Sequence, residues 1–306
     1  YRPVTGFEDG FRQADLLQEN APEAVLKYPF KEDMMASVRE SGIEWTHFSG
    51  NAWIGCTAAG PGCNACYAAG LFDHRLHQVE WGAGKERKKV KGFAAKVRKA
   101  DREAVKAGTR KRFFVNPSSD IFDNEVPDVW REDVWAAMRE ARALDFIIVT
   151  KRIGNALKML PEDWGQGYAN GWLLATMVNQ AEIDRDMPKL AKVPAVVRGL
   201  SIEPLMGPVD LSEWLHCISW VIIGGQSAQP GGEEPMHAQY EWVRALIDQC
   251  LAAGIAVFFK QWGTGHLPRG GNVIDGEVIE LFPCSASNTS GPAHLERDRR
   301  AAVPCR

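Results

Sequence analysis

The sequence lacks any apolar run long enough to cross a membrane. No stretch approaches the roughly 18 to 20 consecutive apolar residues that a transmembrane helix needs, and the polar residues 1–8 do not resemble a secretory signal peptide. Apolar residues make up 45% of the 306 positions, an ordinary content for a globular protein. We therefore expect a cytoplasmic protein with a sizeable core and no membrane partner.

The chain also lacks the even number of cysteines typical of a disulfide framework. It has seven, and three of them, Cys56, Cys63 and Cys66, lie in one short loop rich in glycine. Three thiolates on one loop can hold three irons of a cubane cluster, which leaves the fourth iron open to a small molecule. The loop therefore predicts an iron-sulfur centre with a free coordination position.

A structural zinc site is the alternative interpretation of these cysteines. A Cys3His site would take its fourth ligand from one of three nearby histidines, His47, His74 or His77. Zinc knuckles usually show two well-separated ligand pairs, and this loop does not. The zinc alternative would make the chain a non-catalytic nucleic-acid-binding protein.

Strong charge of one sign is absent overall, but the basic residues are segregated. The net charge is −3, whereas residues 85–112 carry 13 Lys and Arg against three acidic residues, a local charge of +10. This segment, Lys85 to Arg112, is either a solvated helix face or an arm that contacts phosphates. Clustered Lys and Arg gain affinity for nucleic acid by releasing counterions, so DNA is the expected partner.

Short apolar runs alternate with segments of helical periodicity, which predicts a parallel sheet with right-handed crossovers. We expect an α/β fold, a full or partial (β/α) TIM-like barrel at residues 41–283, with an N-terminal extension at 1–40 and a loosely ordered tail at 284–306. The predicted strands are Ile43–Thr46, Arg112–Asn116, Phe146–Thr150, Trp172–Thr176, Ala195–Ile202, Trp220–Ile223 and Ala256–Lys260. The predicted helices are Ala94–Ala107, Asp128–Ala143, Ile183–Leu190 and Tyr240–Ala253.

Polar residues follow nearly every predicted strand. In such a barrel the active site lies at the carboxyl ends of the strands. These residues would therefore ring one opening: Ser118, Ser119 and Asp120; Lys151 and Arg152; Asn179 and Gln180; Glu203; Gly224, Gly225 and Gln226; and Gln261 after Lys260.

Several sequence blocks resemble a phage and prophage three-cysteine family that is similar to the radical S-adenosylmethionine superfamily. The blocks run in order from about Gly42 to Pro283 and include Cys63-Asn-Ala-Cys66-Tyr67, Ser118-Ser-Asp-Ile-Phe-Asp123, Thr150-Lys-Arg152, Glu203-Pro-Leu-Met-Gly-Pro-Val-Asp210, Gly224-Gly-Gln-Ser227 and Phe259-Lys-Gln-Trp-Gly263. A phage-encoded protein would work in the host cytoplasm.

The resemblance implies a radical enzyme that cleaves S-adenosylmethionine with a 4Fe-4S cluster held by Cys56, Cys63 and Cys66. An electron donor such as flavodoxin or ferredoxin would reduce the cluster, and the 5'-deoxyadenosyl radical would take a hydrogen atom from the substrate. The implied cofactor-binding residues are Tyr67, Ser118, Ser119, Asp120, Arg152, Asn179, Gly224 and Gly225. The implied substrate-side catalytic residues are Lys151, Glu203, Gln226, Lys260 and Gln261.

The substrate expected from the resemblance and the basic segment is a base in phage DNA, such as a hypermodified pyrimidine that is modified or isomerised. An enzyme of this kind flips the base out of the helix. Trp53, Phe122 or Trp262 would then stack on it. A small metabolite or a peptide is the alternative substrate.

Overall fold

The computed structural model describes residues 41–227, 236–263 and 270–283. The predicted N-terminal extension and C-terminal tail lie outside these ranges, so the three-part domain division stays a prediction. Of the helices in the described ranges, none is both long enough and apolar enough to cross a bilayer.

Seven parallel strands form the central sheet, and two short antiparallel pairs lie outside it. The strands are β1 (Phe48–Gly50), β2 (Trp53–Ile54), β3 (Lys88–Lys89), β4 (Lys111–Val115), β5 (Leu144–Thr150), β6 (Gly171–Thr176), β7 (Val197–Ile202), β8 (Trp220–Gly224), β9 (Ala256–Gln261), β10 (Val273–Ile274) and β11 (Glu277–Val278). The sheet has the order β1-β4-β5-β6-β7-β8-β9, while β2 pairs with β3 and β10 with β11. Each strand of the sheet therefore lies beside its predecessor in the chain.

Four of the helices between the strands match the predicted segments closely, while two short ones, at residues 67–69 and 156–159, were not predicted. The helices are α1 (Tyr67–Ala69), which continues as a π-helical turn at Gly70–Arg75, then α2 (Phe93–Ala107), α3 (Asp128–Glu140), α4 (Ala156–Met159), α5 (Gln180–Leu190) and α6 (Tyr240–Ala252). In α2 the buried residues Phe93, Val97, Ala100 and Ala104 recur every three or four positions, the spacing of one helix face. Gly108, at φ 65°, ends this helix in the left-handed conformation that glycine tolerates.

All four long helices pack on one face of the sheet. One core cluster joins helix residues such as Val97, Trp135, Ile183 and Leu246 to strand residues such as Phe113. The opposite face carries a separate cluster that includes three tryptophans and contains no helix residue: Trp45, Ile147, Trp172, Leu174, Val197, Trp220, Ile222, Ala256 and Phe258. A doubly wound sheet would carry helices on both faces. The described residues therefore form a curled, open half-barrel, the partial form of the predicted TIM-like fold.

The predicted strand at Ile43–Thr46 is wrong. Thr46 N donates to Ile43 O at 3.2 Å, which closes a turn, and the first strand is Phe48–Gly50, beside β4. The apolar pattern that suggested a strand instead buries Trp45, whose ring packs 6.3 Å from that of Trp220. A turn that buries a tryptophan gives the same short pattern as a strand.

Candidate functional site

The loop that carries the three cysteines covers the carboxyl ends of the central strands. A Cβ placed on Gly62 would lie 2.7 Å from Val178 Cγ1 and 3.5 Å from both Lys151 Cε and Pro204 Cδ. Lys151 follows β5, Val178 follows β6 and Pro204 follows β7. The absence of a side chain at Gly62 lets the loop approach these strand ends closely. The loop thus lies at the edge where parallel α/β barrels carry their active sites.

Arg152 connects this loop to the strand ends. Its Nη1 atom donates to Cys56 Sγ at 3.3 Å and to Asp120 Oδ2 at 3.3 Å, and its Nη2 atom donates to the carbonyl oxygen of Thr57. Burial raises the pKa of the Cys56 thiol to about 12, while Arg152 acts in the opposite direction. A thiol with this pKa is neutral at pH 7, so a thiolate at Cys56 requires further positive charge, such as a metal centre.

The donor types at the loop fit an iron-sulfur cluster, since three thiols lie on one segment at the expected edge of the sheet. Across the part of the chain that the structure describes, no group of three or more His, Cys, Asp or Glu side chains is arranged to hold a metal ion. Metal binding would therefore have to bring the sulfur atoms of Cys56, Cys63 and Cys66 closer together.

His47 does not suit the alternative zinc site. Its Nδ1 atom accepts a hydrogen bond of 3.0 Å from Arg112 N, near the amino end of β4. The cysteine loop lies at the carboxyl ends of the strands, which is the other edge of the sheet. Of the three histidines proposed as fourth zinc ligand, His47 is therefore excluded by position.

The predicted cofactor-binding residues after β4 are engaged in contacts within the protein. Asp120 Oδ1 accepts from Thr150 Oγ1 at 2.7 Å, and Asp120 Oδ2 accepts from Lys151 N at 2.9 Å. Ser119 Oγ donates to Trp53 O at 2.9 Å, and Ser118 N donates to Asn51 Oδ1 at 2.9 Å. These side chains fix the loops around the opening, and their contact with a cofactor stays a prediction.

Two predicted catalytic residues, Glu203 after β7 and Lys260 near the end of β9, form an ion pair. Lys260 Nζ lies 2.9 Å from Glu203 Oε1, and both side chains are less than a fifth exposed. A Cβ on Gly224 would lie 2.6 Å from the same Glu203 oxygen, so Gly224 makes room for this carboxylate.

Three more predicted residues have structural roles at the rim. Gln226 Oε1 accepts from Met236 N at 2.8 Å, and Asn179 Oδ1 accepts from Glu182 N at 3.0 Å as the N-cap of α5. Tyr67, directly after the last cysteine, donates its hydroxyl to Pro117 O at 2.9 Å. Each role is compatible with a further ligand contact that stays a prediction.

Two predicted catalytic residues at this edge carry polar groups that have no protein partner in the described residues. One is Gln261 Oε1, which is buried, while its Nε2 atom donates to Gly225 O and Ser227 Oγ. The other is the Lys151 ammonium, which forms no ion pair within the described ranges although its stem lies against the cysteine loop. These groups are free to bind a substrate or cofactor.

Two of the three aromatic residues proposed to stack on a flipped base are wrong for that role. Trp53 and Phe122 are 0% exposed and belong to the helix-side core. Trp262 is half-buried, and its ring stacks on that of His237 at 5.9 Å with an interplanar angle of 20°. Of the three, only Trp262 is placed where a ligand could reach it.

A model of one protein family matches residues 40–283, which is well over half of the 306 residues. Its description is "Protein of unknown function (DUF5131)". The chain belongs to the DUF5131 family. The matched region includes the half-barrel and the cysteine loop, and the family description states no activity.

Other comparisons of this DUF5131 protein add little. The search of curated proteins gave no match. Among solved structures, a tyrosine-to-phenylalanine variant of spore photoproduct lyase aligns with 14% identity and a TM-score of 0.37, over 65% of this chain and 58% of that chain. The alignment thus spans less than two thirds of that lyase chain. These values are too low to establish a shared fold or activity.

Arg87 is a site residue of this DUF5131 protein that the sequence analysis missed. Its side chain is 0% exposed, with Nε 2.8 Å from Asp123 Oδ2, and its Nη2 atom donates to Thr57 Oγ1 in the cysteine loop at 2.7 Å. It is therefore unavailable to nucleic acid, although it lies within the basic segment. Arg87 differs from the basic residues around it by its burial. The sequence gives no sign of this burial, because Arg87 lies in a run of basic residues.

Gly225 of the DUF5131 chain should tolerate no side chain. A Cβ there would lie 1.8 Å from Trp262 O, so the protein's own backbone occupies the space beside this glycine. We expect Gly225→Ala to lower the free energy of unfolding by about 1–3 kcal/mol, because the strand ends must move apart. Gly207→Ala is the control, since a Cβ at Gly207 meets nothing within 4 Å. Urea unfolding measures both, and equal stability of the two variants would contradict the packing.

Proposed function

We propose that this protein is a radical S-adenosylmethionine enzyme in which Cys56, Cys63 and Cys66 hold a 4Fe-4S cluster. The observation that carries the proposal is the position of the cysteine loop across the carboxyl ends of β5, β6 and β7. When bound and reduced, the cluster would supply the electron that cleaves S-adenosylmethionine to the 5'-deoxyadenosyl radical, which takes a hydrogen atom from the substrate.

The residues around the loop would hold the reacting groups in place. Arg152 fixes the backbone of the loop at Thr57 and contacts Cys56, so it would orient the first thiolate and partly balance its charge. We also propose Tyr67, Ser118, Ser119, Asp120, Arg152, Asn179, Gly224 and Gly225 as the border of the S-adenosylmethionine site. The loop itself would exclude water from the strand ends beneath it.

On the substrate side, the Glu203–Lys260 pair and the free groups of Lys151 and Gln261 would bind the substrate. A carboxylate and two ammonium groups beside an unpaired amide oxygen suit a polar heterocycle with both donors and acceptors on its edge. We propose a base in DNA as the substrate, with modification or isomerisation as the reaction. Flavodoxin or ferredoxin would be the electron donor.

Anaerobic turnover tests this function. Protein reconstituted with iron and sulfide, then reduced with dithionite in the presence of S-adenosylmethionine, should be brown and should form 5'-deoxyadenosine, measured by liquid chromatography. A colourless protein that retains stoichiometric zinc and forms none would establish the zinc alternative. Mass spectrometry of nucleosides from DNA exposed to the active enzyme tests the substrate. An unchanged nucleoside profile despite cofactor cleavage would leave a small metabolite or a peptide.

A further inference from the structure

Much of the positive charge in residues 85–112 is engaged in contacts within the chain. Seven of the 13 basic side chains pair with carboxylates, backbone carbonyls or aromatic rings: Lys85, Arg87, Lys89, Arg98, Lys99, Arg110 and Arg112. The remaining side chains, Lys88, Lys91, Lys96, Arg102, Lys106 and Lys111, form no ion pair within the described ranges. The charge available to a partner is therefore smaller and more localised than the sequence suggests.

Two of these unpaired lysines line a cavity of about 260 Å³ at the carboxyl end of β1. Lys91 and Lys96 stand beside the polar residues Ser49 and Asn51, and no carboxylate is among the described residues that line the cavity. Lys96 Cδ would be 3.6 Å from a Cβ on Gly50, so its stem lies along the end of the strand. Cationic and neutral polar groups without a carboxylate suit an anion.

Lys88 is a third unpaired lysine close to this cavity. It lies on β3, which is antiparallel to β2, and it is the register partner of Ile54. Ile54 lines the cavity. The Lys88 side chain is exposed and lines a neighbouring cavity together with Glu80, Glu86 and Arg87.

The cavity is in contact with both ends of the cysteine loop. Ile54, in the cavity wall, comes two residues before Cys56. Pro117, also in the wall, accepts the hydrogen bond from the hydroxyl of Tyr67, which directly follows Cys66. An anion bound in the cavity would therefore lie next to the proposed cluster.

We propose that Lys88, Lys91 and Lys96 bind successive phosphates of a nucleic-acid strand and so place one nucleotide at the cysteine loop. This proposal rests on the proposed function and assigns its polymer-binding surface. The three ammonium groups are distributed over β3, the turn after it and the first turn of α2, which suits a row of phosphates better than a single one. Lysine is a point-charge phosphate ligand without demands on base sequence, so the strand would be held by its backbone.

The test compares two triple variants with the same loss of charge. Lys88→Gln, Lys91→Gln and Lys96→Gln together remove the proposed contacts. Arg102→Gln, Lys106→Gln and Lys111→Gln remove three unpaired charges from the same segment but away from the cavity. Binding of a fluorescent single-stranded DNA oligonucleotide to the full chain, without S-adenosylmethionine, is measured by anisotropy over a range of salt concentrations.

On a single strand, each phosphate contact adds about 0.7 to the steepness with which the logarithm of the association constant falls with the logarithm of the salt concentration. Three contacts therefore predict a slope of about −2 or steeper for the unaltered chain. We expect the slope of the Lys88, Lys91 and Lys96 variant to be shallower by about 2. The slope of the Arg102, Lys106 and Lys111 variant should equal that of the unaltered chain. Equal losses in both variants would mean that only total charge matters, and would overturn the proposal. No measurable binding by the unaltered chain would also overturn it.

A nucleoside monophosphate distinguishes a polymer site from a small-ligand site. If thymidine monophosphate displaced the oligonucleotide at comparable concentration, the cavity would bind a free nucleotide, and the strand proposal would be wrong. The DNA-binding assay needs no cluster, and 5'-deoxyadenosine formation without DNA needs none of the three lysines. Failure of the radical chemistry and failure of this surface are therefore observed separately.

Discussion

Cys56→Ala should abolish loading of the iron-sulfur cluster and, with it, formation of 5'-deoxyadenosine. The proposed cluster has only three protein ligands, one for each of three irons. Loss of one thiolate would leave a second iron without a protein ligand and exposed to solvent. Cys56 Sγ also accepts a hydrogen bond from Arg152, so this sulfur is the proposed cluster ligand that contacts the end of β5. Visible absorption and bound iron after anaerobic reconstitution measure the loss.

Cys217→Ala is the matched control for the cluster ligand. Cys217 is also a free, half-buried cysteine, but its sulfur lies 3.0 Å from His216 Nε2 in a turn before β8, outside the cysteine loop. We expect this variant to load iron as the parent does. Full iron content and parental cofactor cleavage in Cys56→Ala would show that the ligand assignment is wrong.

Arg87→Met should be the most destabilising single substitution near the site. It leaves the carboxylate of Asp123, whose side chain is 2% exposed, buried without its cation. Removal of one partner from a buried ion pair typically costs about 3–5 kcal/mol. The change also removes the hydrogen bonds of Arg87 to Thr57, Gly82 and Lys85, which connect the cysteine loop to the segment after it. Guanidinium unfolding measures the loss of free energy.

Lys85→Met controls for loss of a nearby positive charge. Lys85 pairs with Glu80 at the surface, where both side chains are at least half exposed, and water solvates either partner alone. Its carbonyl, which Arg87 contacts, remains. We expect the stability of this variant to stay close to that of the parent. A similar small effect of Arg87→Met would mean that Arg87 does not hold the loop.

Much of the sheet could be predicted from the sequence, because the buried parallel strands are continuous apolar runs. Phe146–Thr150 and Trp172–Thr176, for example, fall within β5 and β6, whose residues are almost all buried. Such runs are typical of strands with side chains packed on both faces. The sequence could not predict whether the barrel closes. Closure depends on whether β1 and β9 pair, and local sequence patterns do not determine the distance between these two strands.

The candidate site was predictable in position but not in its contacts. Polar residues after each strand indicated the correct edge, since parallel strands end together. Their partners were less predictable. Glu203 pairs with Lys260, and the backbone at Gly225 lies against Trp262 O. Ion pairs and close backbone approaches form between distant segments, so they are properties of the folded chain and not of any motif.

The open sheet affects how a long substrate could reach the cysteine loop. In the described ranges β1 and β9 do not pair, so the strand ends trace an arc with a gap, whereas a closed barrel would trace a ring. A polymer can be laid across an arc from the side, with no free end and without threading. The lysine-lined cavity lies by β1, at one end of that arc. Within the described ranges, the proposed nucleic-acid strand would therefore need no free end to reach this cavity.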